Sequence, residues 1–266
     1  MRQDIRNRMD VGYLPELSSE LSPHSLVPRG RLWSWIDTSL ITGLNDGDTV
    51  ESALDPSGRG TTWAQATAAY RPKFRTNQVN GLPALEFDGA NYRLGSSGGI
   101  VADNFTYFLV AKPEATITQA AESTGGTSGL SGQRYVLEPL HKGKERGVGI
   151  SLGTNYFQVF GHGSGVIECY ASFGGVFTNF CLFVVICQSR MIHLQVNGAY
   201  VRTGKKPSQV LWTSNVMGRG TYGAYKGRVA EFICINDSSW YVVAGVSQYL
   251  LKKYALPVQC GFLFRG

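Results

Sequence analysis

The stretch His193-Leu194-Gln195-Val196-Asn197-Gly198-Ala199-Tyr200-Val201 decides the fold. Asn-Gly takes the positive φ values that a tight two-residue turn demands, and the flanking alternation of apolar and polar residues marks two antiparallel strands. Just upstream lies the longest uninterrupted apolar run, Cys181 to Cys187. It has the length of a strand and falls far short of the ~20 residues of a membrane-spanning helix.

Outward from this hairpin, apolar-rich runs of strand length recur between Gly, Asn, Asp and Pro clusters. The spacing predicts strands at Ala84–Phe87, Phe105–Ala111, Gly147–Leu152, Tyr156–Phe160, Phe180–Cys187, Ile192–Val196, Ala199–Arg202 and Gly227–Ile235. That is the pattern of an all-β, antiparallel β-sandwich. Residues Glu114–Arg134, rich in Thr, Ser and Gly, read as a long surface loop. One helix is expected, capped by Ser238 or Ser239. Its apolar positions are Trp240, Val243, Ala244, Leu250, Leu251 and Tyr254, with Lys252 and Lys253 at the negative end of its dipole. Pro257 stops it, and its place is expected across a sheet edge or an end of the sandwich. Residues 1–31 carry Pro15, Pro23 and Pro28 and no periodicity, so they read as an extended N-terminal arm serving assembly or as a linker. Within them Leu26-Val27-Pro28-Arg29-Gly30 has the pattern of a protease-cleavage linker. The expected organisation is an arm at 1–31, a sandwich at 32–257 and a short tail at 258–266.

Composition agrees. Charged residues make up 17% of the 266, against ~25% in an average soluble protein, while 33 glycines favour turns over long solvated helices. The net charge of +6 lies in the last quarter: residues 200–266 carry +7, residues 32–199 carry −2 and residues 1–31 carry +1. A basic surface attracts nucleic acid, an anionic surface or an acidic protein. Here Arg202, Lys205, Lys206, Arg219, Lys226 and Arg228 fall around turns and not along one helix, which argues against nucleic acid. Five cysteines with no Cys-x-x-Cys pair form neither a disulfide framework nor a zinc knuckle. Arg2, Arg6 and Arg8 interleaved with acids at the N-terminus leave no apolar block of the kind a secretory signal requires.

Two blocks carry a resemblance. The first comprises Leu32-Trp33-Ser34-Trp35-Ile36-Asp37-Thr38, Asp55-Pro56-Ser57-Gly58-Arg59-Gly60, Gln65 through Pro72, and Asn80-Gly81-Leu82-Pro83-Ala84-Leu85-Glu86-Phe87-Asp88-Gly89. The second is Gly227 through Ile235 followed by the capped helix. Together they resemble the laminin-G-like, concanavalin-A-like jelly-roll domains of lectins, glucanases and phage structural proteins. The resemblance implies two curved antiparallel sheets, and carbohydrate or protein binding more often than catalysis.

Relatives of this jelly roll hydrolyse glucans with a Glu-x-Asp-x-x-Glu strand. Glu86-Phe87-Asp88 repeats its first half, but the third position is Asn91, so the second carboxylate that glycoside hydrolysis needs is absent. No catalytic residue and no enzyme activity are therefore expected, and no cofactor beyond a calcium ion held by Asp88, Asn91 and Asp103, with Asn104 nearby. Sugar binding uses aromatic rings exposed on loops; the candidates are Trp63, Tyr70, Tyr92, Trp212 and Tyr222. Arg2, Arg6, Arg8, Lys205 and Lys206 are the candidate partner contacts. The function expected from the resemblance is a non-enzymatic structural and adhesive protein of a bacteriophage virion, in head decoration, neck or tail fibre. Its partners would be other virion proteins, further copies of itself as a homo-oligomer, and a host surface glycan. A free bacterial carbohydrate-binding module or lectin is the alternative, and a glycoside hydrolase a third reading.

Overall fold

The computed structural model describes residues 21–96, 100–118, 132–140, 148–163, 166–205, 210–212, 214–220 and 223–258. In chain order the strands begin with β1 (Leu32–Asp37), β2 (Ser52–Leu54), β3 (Thr62–Ala64), β4 (Lys73–Val79), β5 (Leu82–Asp88), β6 (Leu94–Ser96), β7 (Ile100–Ala102) and β8 (Phe105–Pro113). They continue with β9 (Tyr135–Leu140), β10 (Gly149–Leu152), β11 (Tyr156–Gly163), β12 (Val166–Gly174), β13 (Cys181–Gln188), β14 (Met191–Val196) and β15 (Ala199–Lys205). The last are β16 (Val210–Trp212), β17 (Ser214–Met217), β18 (Arg219–Gly220), β19 (Gly223–Ala224) and β20 (Lys226–Ile235). Two helices complete the fold, α1 (Pro23–Leu26) and α2 (Trp240–Lys253).

Antiparallel pairing builds one layer in the order β4, β5, β20, β8, β13, β14, β15, with β1 continuing the line of β5 along the far half of β20. The second layer runs β2, β3, β6, β17, β9, β10, β11, β12. The layers meet at one edge, where Tyr170 of β12 pairs with Lys205 of β15. Each strand predicted from the sequence is present. The two Asn-Gly turns carry the positive φ that made them legible: Asn197 at 49° with Gly198 at 82°, and Asn80 at 49° with Gly81 at 75°.

Alternation sorts the first layer's side chains onto two buried faces. Tyr107, Leu109, Phe183, Val185, Phe232 and Cys234 point into the core shared with the second layer, against Trp63, Val136, Ile150 and Phe157. Phe108, Val110, Leu182, Val184, Ile186 and Ile233 point outward and are covered by Val242, Val243, Val246 and Leu250 of α2. Burial on both sides explains why Cys181–Cys187 is unbroken in its apolarity, as strands covered on both faces are.

Three expectations give way here. The helix α2 lies over the outer face of a sheet and not across an edge. Trp240, expected on its apolar side, is exposed, because the buried face runs through Val242, Val243, Val246, Leu250 and Leu251. The end of the expected arm is part of the sandwich: Ser22 through Arg31 dock on it, with α1 against α2 and Val27 only 5% exposed. His24 Nε2 donates to the Pro56 carbonyl at 2.7 Å while its ring meets Trp35 edge-on at 5.6 Å. Within Leu26–Gly30, Leu26 and Val27 pack on the sandwich, while Pro28, Arg29 and Gly30 are exposed. Of the predicted 114–134 loop, residues 119–131 lie outside the described residues.

Candidate functional site

Strand register brings four segments distant in sequence to one end of the first layer. Leu32 at the start of β1 pairs with Ile235 at the end of β20, Thr106 in β8 pairs with the same Ile235, and Phe105 pairs with Cys187 of β13. The residues just beyond those pairs therefore meet. Arg31, Asp103, Asn104, Gln188 and the run Asn236-Asp237-Ser238-Ser239 line an open polar cleft of about 450 Å³, within the range of small-ligand sites.

Its floor is fixed. The buried Asp237 carboxylate accepts Arg31 Nη1 through Oδ2 at 2.6 Å, and through Oδ1 it accepts the Ser239 amide at 2.7 Å and the Ser239 hydroxyl. Burial alone would raise the Asp237 carboxyl, but the Ser239 donors and the Arg31 guanidinium outweigh it and hold it below the usual carboxylate range. The Asp237 carbonyl accepts Thr106 Oγ1 at 2.7 Å, and Asn104 Oδ1 accepts the Ser189 amide at 2.7 Å. Four groups remain uncommitted: among the described residues the side chains of Asp103, Gln188, Asn236 and Ser238 make no hydrogen bond to the protein. They offer a carboxylate acceptor, two amides that both donate and accept, and a hydroxyl. Directly after Ser239, the first turn of α2 presents Trp240, 61% exposed, and Tyr241, 71% exposed.

The predicted site residues distribute differently. Asp103 lines this cleft, but Asp88 and Asn91 do not. Asp88 pairs with Lys226 at the other end of β20, and nine residue steps of ~3.3 Å separate the two ends by about 30 Å. The expected calcium set is thus split, and among the described residues no group of three or more His, Cys, Asp or Glu side chains is placed to hold a metal. Asp88 stiffens its own turn, its Oδ1 accepting the amides of Ala90, Asn91 and Tyr92 at 2.8–2.9 Å. Glu86 is engaged by Arg75 at 2.7 Å. Both carboxylates of the glucanase-like Glu-x-Asp are thus engaged, Glu86 by Arg75 and Asp88 by its own turn.

Trp63 is fully buried, its ring edge-on to Phe232 at 5.9 Å and its Nε1 donating to Ser34 Oγ, so it has no face to offer a sugar. Tyr70 and Tyr92 come together at the Asp88 end, where the Arg93 amide donates to the Tyr70 carbonyl and the Arg93 guanidinium lies 4.5 Å from the Tyr70 ring centre. Trp212 closes β16 opposite Ile100. Lys205 ends β15, exposed; Tyr222, Lys206, Arg2, Arg6 and Arg8 lie outside the described residues. Sequence reasoning missed Arg31, Gln188, Asn236 and the exposed Trp240 and Tyr241. The signal that finds them is positional, since each lies at or just beyond the end of a core element.

No protein-family model matches the chain, and no curated protein matches it in sequence. Solved structures do match in fold. The receptor-binding domain of botulinum neurotoxin type G superposes with a TM-score of 0.55 at 10% identity, over 84% of this chain and 51% of that one. The serotype D ligand-binding domain, in complex with N-acetylneuraminic acid, superposes with a TM-score of 0.53 at 11% identity, over 81% and 52%. The chain spans about half the length of these structures. At such identities the likeness is one of architecture, and it agrees with the two-sheet sandwich.

Proposed function

We propose that the chain is a non-enzymatic, lectin-like module that binds a sugar in the Arg31–Ser239 cleft. The observation that carries this reading is the pairing of uncommitted polar groups with exposed rings. Asp103, Gln188, Asn236 and Ser238 match the mixed donors and acceptors of sugar hydroxyls, and Trp240 and Tyr241, exposed in the helix turn that follows Ser239, would supply faces on which a pyranose stacks. The Asp237 bridge holds the cleft in place before ligand arrives, which lowers the ordering cost of binding. Membership of the laminin-G-like, concanavalin-A-like group is part of this proposal, supported by the two sequence blocks and the sandwich. One structural neighbour was solved with a sialic acid, which adds weight to a glycan as ligand.

In its setting as a phage particle protein, the sandwich would be the displayed part, with the residues before Ser22 reaching to other virion proteins or to further copies. The support for that setting is the sequence resemblance. A glycan array followed by calorimetry on the leading sugar tests the binding reading. Trp240→Ala, Tyr241→Ala and Asp103→Asn are each expected to weaken binding about tenfold, the ~1.4 kcal/mol of one good contact, with the unfolding midpoint unchanged. Binding that survives all three substitutions, or no binding to any glycan, overturns it.

A further inference from the structure

The opposite end of β20 carries a different arrangement, independent of the cleft. Asp88 Oδ1 ties the amides of Ala90, Asn91 and Tyr92 into one turn, and three cations are carried by this turn or by residues paired or bonded to it. Lys226, paired with Asp88 across the strands, lies over Gly89: a β-carbon there would stand 2.7 Å from the Lys226 Cβ. Arg219 donates through Nη1 to Asn91 Oδ1 at 3.2 Å. The Arg93 guanidinium lies over the Tyr70 ring, 4.5 Å from its centre. Among the described residues none of these three forms an ion pair, whereas Arg71, Arg75 and Arg228 do so with Glu51, Glu86 and Glu114. The acid within the group, Asp88, already gives one oxygen to three amides.

Two of the three cations are guanidinium groups oriented by a ring or an amide oxygen, the geometry that meets carboxylate or sulfate with two parallel hydrogen bonds. Exposed charges of this kind are each worth about 0–1 kcal/mol, so a single small anion would be held weakly. A chain carrying repeated anions engages them together and gains from multivalency. Nucleic acid fits poorly, because base stacking needs free aromatic faces. Here the Tyr70 face is taken by Arg93, and Tyr92 packs against the core. We propose that Arg93, Arg219 and Lys226 around the Asp88–Arg93 turn form a second binding surface, for an acidic polysaccharide bearing carboxylate or sulfate groups.

The test measures binding of the full chain to polygalacturonate and to dextran sulfate, with neutral dextran and a 20-nucleotide single strand as comparisons. Binding to one or both acidic polymers, weakening as salt rises, is expected, and their ranking tells carboxylate from sulfate. The triple variant Arg93→Gln/Arg219→Gln/Lys226→Gln is expected to lose at least tenfold in affinity. An equal change of charge elsewhere, Arg190→Gln/Arg202→Gln/Lys205→Gln, should lose less than threefold. The double variant Arg219→Gln/Lys226→Gln leaves the Arg93–Tyr70 stack intact and covers the case in which the triple variant folds poorly. Equal loss in both triple variants, no binding to either acidic polymer, or tighter binding to the oligonucleotide overturns the proposal. Trp240→Ala and Asp103→Asn should leave acidic-polymer binding unchanged, so failure here and failure of the cleft are separately visible.

Discussion

Lys253→Met probes the buried ionic cluster at the end of α2. Lys253 Nζ sits 2.6 Å from both Asp37 Oδ2 and Glu231 Oε2. Glu231, fully buried, also accepts Tyr254 OH at 2.8 Å and Trp35 Nε1 at 2.9 Å. Burial and the neighbouring Asp37 push the Glu231 carboxyl up to about 7, against the opposing pull of Lys253 and Tyr254. Since the folded value lies above the ordinary 4.5, Glu231 adds stability at low pH and loses it as pH rises from about 4.5 to about 7, a change of ~3 kcal/mol. Lys253, itself raised by the two carboxylates despite burial, adds stability below its ordinary range and loses it only at strongly alkaline pH. Removing the cation leaves two buried carboxylates facing each other, a loss of about 3–5 kcal/mol at pH 8.5. Without Lys253 the Glu231 carboxyl moves higher still, so the deficit should shrink towards pH 6, at up to ~1.4 kcal/mol per pH unit. Urea unfolding of wild type and variant, followed by tryptophan fluorescence at both pH values, measures it. Adding Glu231→Gln to the variant should abolish its pH dependence. A deficit below 1 kcal/mol at pH 8.5, or one equal at both pH values, refutes the account.

Close approach at Gly223 makes a second prediction. A β-carbon there would stand 1.8 Å from the Gln133 carbonyl oxygen, so Gly223→Ala should cost about 2–3 kcal/mol. Gly95→Ala, whose β-carbon would meet nothing nearer than 3.8 Å, should be near neutral in the same urea titration. Truncation separates the docked segment from what precedes it. A chain beginning at Ser22 should keep the unfolding midpoint, while one beginning at Leu32 loses the burial of Val27 and the Arg31–Asp237 bridge, together about 3 kcal/mol. Equal stability of the two chains would show that residues 22–31 contribute nothing.

Local signals were legible where one turn or one period fixes the answer. Asn197-Gly198 declared its hairpin through backbone conformations that few residues adopt, Asn80-Gly81 declared a turn but not the strand β4 that precedes it, and β8, β13 and β20 declared themselves by length and β-branched content. The helix α2 was legible as a helix, but its rotation was misjudged at the first turn. There Trp240 keeps the right spacing after the sheet that would cover it has ended, and periodicity carries no information about the partner. At four residues α1 is shorter than any period, and its docking depends on His24 and Val27 meeting Pro56 and a sheet 30 or more residues away. Trp63 is an aromatic residue between turn-rich stretches, which reads equally as a loop or as a three-residue strand; only the pairing of Ala53 with Trp63 and of Ala64 with Gly95 turns it into the core. The cleft was invisible for the same reason. Its residues span Arg31 to Ser239, and what joins them is a register shared by four strands.

That register also explains why recognition sits at the ends. The middle strands of the first layer, β8, β13 and β20, are covered on one face by the partner sheet and on the other by α2, so they have no open face to offer a ligand. What remains accessible are the segments that leave each strand, and these inherit rigidity from the ladder beneath them. At one end the chain must leave β20 and turn back to lay α2 over the sheet. Asp237 accomplishes that turn by binding Ser239 and Arg31 together, and the same bonds shape the cleft floor. At the other end Asp88 performs the equivalent task for the β5–β6 turn, and among the described residues the cations on and beside that turn, Arg93, Arg219 and Lys226, form no ion pair. Two turn-forming carboxylates at the two ends of β20 thus set two surfaces of different chemistry, one rich in uncommitted amides and hydroxyls, the other cationic. A ligand long enough to span ~30 Å would meet both, and competition between a short neutral sugar and an acidic polymer then distinguishes two independent sites from one continuous track. Independent sites leave the affinity of each ligand unchanged by the other, whereas a continuous track makes them exclude one another.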